Sequence, residues 1–269
     1  MSVVGHPFLQ QLSTNIATTG NQVCVGLDPD MALLPEGFDK SLLGIEDFLR
    51  TIIDVSKDLV IAYKPNISFF EAYGVDGLRV LERIVAYVPS YIPVIIDAKR
   101  GDIGNTSRMQ AKFIFDSLNA AATTVHPYMG EDSVVPFLEH SSKFTFVLGL
   151  TSNPGASDFE LMPMRDGKPL YHHVLTRIVG WNERYHNVGA VVGATQELFK
   201  TICQDYPTVD FLVPGVGAQG GSYQDIIINQ HMRKGLLIIN VGRSVLYAAQ
   251  RTPIEEAVRG AIKGLSKGF

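Results

Sequence analysis

The sequence predicts an α/β protein, a (β/α)8 TIM barrel, and three observations carry that reading. Eight short apolar runs recur along the 269 residues, amphipathic stretches of helical period separate several of them, and charged residues gather at the ends of the runs. Eight strand–helix units in about 250 residues match the size of such a barrel, and its active sites form at the C-terminal ends of the strands.

The runs span residues 22–28 (QVCVGLD), 59–66 (LVIAYKPN), 92–99 (IPVIIDAK), 121–128 (AATTVHPY), 144–152 (FTFVLGLTS), 187–195 (NVGAVVGAT), 210–217 (DFLVPGVG) and 235–243 (GLLIINVGR). Most are rich in Val and Ile and bounded by Gly, Pro or polar residues, the pattern of strands buried on both faces. Between them, Ile45, Phe48, Leu49, Ile52 and Ile53 form one stripe at helical spacing, and Leu78, Leu81, Val85 and Val88 form another. Val174, Leu175, Ile178 and Val179 predict a third helix, and Ile254, Ala257, Val258, Ala261, Ile262 and Leu265 a closing one. Each fits a helix with a single buried face. Phe8, Leu9, Leu12 and Ile16 predict an additional helix before the first strand.

An open doubly wound sheet is the alternative fold. It would normally have fewer strands and a dinucleotide fingerprint near the first one. Gly215, Gly217 and Gly220 do spell GxGxxG, but late in the chain and with no acidic residue ending a following strand to hold a ribose. Without linker, low-complexity segment or repeat beyond the βα alternation, residues 1–269 are expected to form a single domain.

Composition narrows the partners. The 23 Lys and Arg against 27 Asp and Glu give a net charge of −4, which argues against nucleic acid as the main partner. Cys24 and Cys203 have neither CxxC nor metal-ligand spacing and read as free thiols. No signal peptide is recognisable at the N-terminus, and no apolar run approaches the roughly 18–20 residues of a membrane span. A cytoplasmic location without membrane attachment is expected.

The charged strand ends are Asp28 on the first run, Lys64 on the second, Asp97 and Lys99 on the third, and Arg243 after the eighth. A lone charge there is as easily a solvated end or a structural ion pair; recurrence on four strands favours a site. Residues two apart on a strand share a face, so Asp97 and Lys99 should point together, with Asp102 just beyond the turn at Gly101. A lysine between carboxylates stays protonated, and can stabilise an anion and then protonate it.

The glycine-rich stretch from Pro214 to Gly221 follows the seventh strand, and Asn240-Val-Gly-Arg-Ser244 ends the eighth. Loops at these two positions form the recurrent phosphate site of barrels, and Arg243 adds a bidentate fork. Tight turns alone would also explain the glycines. Ser152, in Thr151-Ser-Asn-Pro-Gly155, offers a hydroxyl to a ring with an amide edge, although this is also ordinary turn chemistry. Residues 156–169 are long enough for a lid. His172 and His173 are adjacent and make a poor metal pair, and His126 beside Pro127 is a candidate lining residue without a catalytic role.

Asp97-Ala-Lys-Arg-Gly-Asp102-Ile-Gly-Asn-Thr106, with Val25-Gly-Leu-Asp28, Tyr63-Lys-Pro-Asn66, Pro214-Gly-Val-Gly-Ala-Gln219 and Val241-Gly-Arg243, resembles the orotidine 5'-phosphate decarboxylase family. The likeness spans nearly the whole barrel, in the family's order. His-Pro-Tyr-Met-Gly and Thr-Ser-Asn-Pro-Gly point to its longer bacterial branch, and Asn153 departs from the Ser-His-Pro-Gly-like context of the compact one. The resemblance implies a carboxy-lyase that converts orotidine 5'-monophosphate to uridine 5'-monophosphate and CO2, the last step of pyrimidine nucleotide synthesis, without metal or cofactor. It implies Asp28 and Lys64 at the ribose, Asp97 against the substrate carboxylate, and Lys99 as stabiliser and protonator of the C6 carbanion. Ser152 is implied at the pyrimidine edge. Pro214 opens the phosphate loop, with Gln219, Gly242 and Arg243 at the phosphate. It further implies a homodimer in which Asp102 and Thr106 enter the neighbouring pocket.

Two other readings stand at this point. A Mg-dependent sugar-phosphate aldolase or decarboxylase on the same barrel would place a carboxylate near Lys64 to help hold the ion. A non-catalytic nucleotide-binding barrel would have no use for an intact Lys99.

Overall fold

The computed structural model describes residues 5–193, 198–216, 221–249 and 253–266. The eight strands are β1 (Val23–Gly26), β2 (Ala62–Lys64), β3 (Ile95–Arg100), β4 (Ala122–Val125), β5 (Phe144–Leu150), β6 (Val188–Val192), β7 (Phe211–Val216) and β8 (Leu237–Val241). Seven fall inside an expected apolar run, and β3 extends one residue past the end of its run, to Arg100. The strands are shorter than the runs because chain beyond the last ladder bond turns outward into loops.

All neighbouring strands pair in parallel, in the order β2-β1-β8-β7-β6-β5-β4-β3. The two ends of that sheet meet through bridges from Tyr63 to Val94 and from Asn66 to Asp97, supported by the amide of Asp97 donating to Pro65 O at 2.9 Å. This nearly complete closure distinguishes the barrel from the open doubly wound sheet.

Side-chain alternation divides the packing into two layers. On β1, Val23 and Val25 join the cluster under the helices, while Cys24 points into the barrel; on β8, Leu237, Ile239 and Val241 face outward and Ile238 inward. Cys24 is buried filler, and burial pushes its thiol up to about 12, so it is inert at neutral pH.

The outer layer includes the helices predicted by the stripes: α2 (Leu42–Ser56), α4 (Gly74–Tyr87), α8 (Leu170–Tyr185) and α12 (Ile254–Ser266). Short helices not picked out by periodicity complete it: α3 (Ser68–Glu71), α5 (Gly104–Lys112), α6 (Glu131–Leu138), α7 (Ala156–Phe159), α9 (Phe199–Asp205), α10 (Tyr223–Ile227) and α11 (Arg243–Leu246). Most span only one or two turns, too few to repeat a stripe, and α6 carries an internal Pro136.

The expected N-terminal helix, α1 (Pro7–Thr19), starts at a His6 cap and ends at Gly20, whose φ of 70° gives the left-handed stop. Phe8, Leu9 and Leu12 enter the lower barrel and pack with Phe144 and Phe146; the Phe8 and Phe144 rings stack 5.1 Å apart. Asn15 Nδ2 donates to Ile61 O and Tyr91 O at 3.1 and 2.9 Å. α1 therefore stoppers the N-terminal mouth, and the accessible cavity opens at the C-terminal one.

Candidate active site

β3 leaves its regular course before the rim. Its register against β4 shifts between Ile96 and Arg100, and Lys99 adopts φ 45°, in the left-handed region that non-glycine residues seldom occupy. Asp97 and Lys99 do meet, with Lys99 Nζ 2.6 Å from Asp97 Oδ1, but through this bulge and not through plain strand alternation. Lys64 Nζ donates to the other oxygen, Asp97 Oδ2, at 2.8 Å.

These charges occupy different surroundings. Asp97 and Lys64 are buried, whereas nearly half of the Lys99 side chain is exposed to the cavity. Burial alone would raise the Asp97 pKa, yet the charges of Lys64 and Lys99 and their hydrogen bonds hold it well below the usual carboxylate range. Burial would lower Lys64, but Asp97 and Asp28 outweigh it and move the ammonium upward. The result is a fixed anion carrying a buried cation on one oxygen and a reachable cation on the other.

A cavity of about 510 Å³ lies above this array. Asp28, Lys64, Asp97, Lys99, Ser152, Pro214, Gly242 and Arg243 all line it, so eight residues singled out on six strands or just beyond them converge. Asp28 is held by its Oδ1 accepting from the Asn66 amide at 2.9 Å, which ties the β1 loop to β2. Beneath it the packing at Gly26 is close: a Cβ there would come within 3.3 Å of Gly242 Cα. Across the cavity, Leu148, Val191 and Leu212 form an apolar wall opposite the charges.

Asp102 and Thr106 do not line the cavity of their own barrel; Asp102 Oδ1 instead accepts from the Ile103 amide at 2.7 Å, and Thr106 is exposed on α5. Gln219 lies outside the described residues. His126 is not a lining residue either: its ring lies against Gly101, where an added Cβ would fall 2.3 Å from Nε2.

Several lining residues escaped the sequence reading. Thr124 bonds both Asp97 and the Lys99 backbone, and the successive threonines in run 121–128 were its legible signal. Tyr247, after α11, accepts the Asp30 amide at 2.7 Å and so braces the β1 loop, but nothing in the local pattern marks it. Asn240 faces the same cavity from β8.

The stretch expected to be long enough for a lid is pinned back onto the barrel. α7 is followed by an antiparallel bridge between Pro163 and Pro169, and Glu160 fastens the segment to the end of β5 by accepting from Thr151 N at 2.6 Å and Thr151 Oγ1 at 2.8 Å. Among the described residues, no three His, Cys, Asp or Glu side chains are grouped to hold a metal ion, and no helix is long and apolar enough to cross a membrane.

Known proteins match this chain over nearly its whole length. An orotidine 5'-phosphate decarboxylase from Herpetosiphon aurantiacus is 44% identical over 254 residues, covering 94% of each chain. One from Flavobacterium johnsoniae is 43% identical, covering 93% of this chain and 92% of that one. The structure of Leishmania donovani OMP decarboxylase superposes with a TM-score of 0.82 at 35% identity, over 96% of this chain and 95% of that one. The model of the orotidine 5'-phosphate decarboxylase / HUMPS family matches residues 21–259, and with such relatives on both measures the chain belongs to that family.

Proposed function

We propose that this chain decarboxylates orotidine 5'-monophosphate to uridine 5'-monophosphate and CO2, using neither metal nor cofactor. The observation that carries the reading is the Lys64–Asp97–Lys99 array on the cavity wall, with Lys99 the reachable cation. The bond between C6 and the carboxylate breaks, CO2 leaves, and the electron pair stays on C6. The Lys99 ammonium meets that charge as it develops and delivers its proton to C6. Lys99 then regains a proton from solvent.

The remaining residues bind and orient. Arg243 and Gly242, with Gln219, hold the phosphate on the β7–β8 side of the cavity, near Pro214. Asp28 and Lys64 hold the ribose, and Ser152 the pyrimidine edge. Asp97 lies where the substrate carboxylate arrives. Phosphate binding remote from C6 supplies energy to position the ring against Lys99. A buried ammonium at Lys64 would repel a divalent ion beside Asp97, which supports chemistry without metal.

The active unit is a cytoplasmic homodimer in this reading. Asp102 and Thr106 do not line their own cavity, and Ile103 and Met109 on the same segment are exposed apolar side chains suited to burial against a second copy. In this reading Asp102 and Thr106 complete the neighbour's site.

The test is loss of orotidine monophosphate absorbance in excess chelator. Turnover should persist with chelator and vanish in Lys99→Ala, while that variant still binds uridine monophosphate. No turnover by the wild type refutes the assignment, and complete loss on chelation refutes the metal-free part.

A further inference from the structure

β4 supplies a buried hydroxyl to the two groups on which the proposed chemistry depends. Thr124 is 1% exposed; its Oγ1 accepts from the Lys99 amide at 2.9 Å and lies 2.9 Å from Asp97 Oδ1. Both directions are determined. An amide N–H can only donate and a carboxylate oxygen can only accept, so the single hydroxyl hydrogen goes to Asp97.

This contact sits where β3 breaks register with β4. The bulge takes the Lys99 N–H out of the regular ladder, and the threonine oxygen receives it instead of a carbonyl. A left-handed non-glycine residue is strained and persists only where its surroundings hold it. The adjacent Thr123 serves the ladder differently: its hydroxyl donates to Ile96 O at 2.9 Å and touches neither charged group.

We propose that Thr124 is a positioning residue for the decarboxylation, clamping the Lys99 turn and keeping Asp97 oriented while Lys99 delivers its proton. The inference rests on the decarboxylase reading. Asp97 Oδ2 is held by Lys64, and Oδ1 by Lys99 and Thr124. When the Lys99 ammonium turns to the reacting carbon, Thr124 is the donor left on Oδ1. Without the hydroxyl, that oxygen loses its second donor, and the Lys99 amide is left unpaired in its strained turn.

Thr124→Val keeps the shape and removes the hydroxyl; Thr124→Ser restores it. With orotidine monophosphate, Thr124→Val should lower kcat roughly 10- to 100-fold, as expected for losing hydrogen bonds to a charged group. KM and the Kd for uridine monophosphate should change by less than about threefold, because the lost contacts act on the proton donor and not on binding. Thr124→Ser should return kcat to within about threefold of wild type. If Thr124→Val does not fold, Thr124→Ala carries the same expected loss.

Wild-type kcat in a folded variant lacking the hydroxyl would overturn the proposal, as would failure of Thr124→Ser to recover it. A wild-type enzyme that releases no CO2 would instead sink the decarboxylase reading. The Thr124 clamp could then still be judged by crystallography of Thr124→Val, in which Lys99 should leave its left-handed conformation. Lys99 remaining there, with Nζ still on Asp97, would show that the hydroxyl holds nothing.

Discussion

Replacing Lys64 by Met removes a buried cation while leaving its anion in place. Lys64 is 3% exposed, Asp97 8%, and the two atoms are 2.8 Å apart. At an effective dielectric constant of about 20, that separation corresponds to roughly 6 kcal/mol of attraction, part of which desolvation of the ammonium offsets. Breaking such a pair from one side typically costs about 3–5 kcal/mol, because an uncompensated charge stays buried. At roughly 2–3 °C per kcal/mol for a chain of this size, Lys64→Met should lower Tm at pH 7.5 by about 6–15 °C.

The pH dependence carries the sharper test. In the wild type the Asp97 pKa is depressed, so its stabilising contribution is present above the unfolded carboxylate value and is lost only as pH falls through the lower folded value. Without Lys64 the folded pKa rises, and protonation relieves the buried anion at a higher pH. The Tm gap between wild type and variant should therefore narrow from pH 7.5 to pH 4.5. Lys64→Met combined with Asp97→Asn should recover part of the loss, since both charges are then gone. Calorimetric melts across this range measure all three chains. A gap below about 2 °C at pH 7.5, or one that does not change with pH, would refute the claim that Lys64 compensates Asp97.

Arg243→Ala should weaken binding of uridine monophosphate by at least about tenfold and barely alter binding of uridine, measured by calorimetric titration; equal losses would remove Arg243 from phosphate recognition. Mixing Asp102→Asn with Lys99→Ala subunits should restore some turnover, since each mixed dimer can form one site with both residues intact; no recovery after verified subunit exchange would exclude shared sites. Asp210, at the foot of β7, is pushed up to about 6 by burial, against the Leu236 amide bond and the Arg233 charge. Its raised pKa means that its contribution to stability falls as pH rises from about 4 to 6. Asp210→Asn should thus gain stability relative to wild type over that window, by up to about 3 kcal/mol, and a pH-independent difference in its melting would contradict the burial argument.

The barrel was legible because strands buried on both faces must be apolar and short, and each of the eight runs marks an observed strand, with β3 alone reaching one residue past its run. The long amphipathic helices were legible because each buries one face, whereas α9 and α10 are too short for their stripes to repeat. Charge at strand ends located the site, since the polar positions of a barrel strand concentrate at its rim. Tyr247 and Asn240 remained hidden: one follows the last strand, the other sits in an apolar run, and only closure of the barrel brings them beside Asp28 and Lys64.

The sequence by itself determined that an acid and a base lie two residues apart at the end of the third strand, and which stretches of chain carry the glycines and Arg243. Periodicity is local, and it suffices for that. Only the tertiary structure decided how Asp97 and Lys99 meet, because the bulge that turns Lys99 is supported by a hydroxyl on the next strand. The tertiary structure also decided that Lys64 is buried while Lys99 is reachable from the cavity. Both outcomes depend on groups distant in the chain whose separation exists only once the barrel has closed.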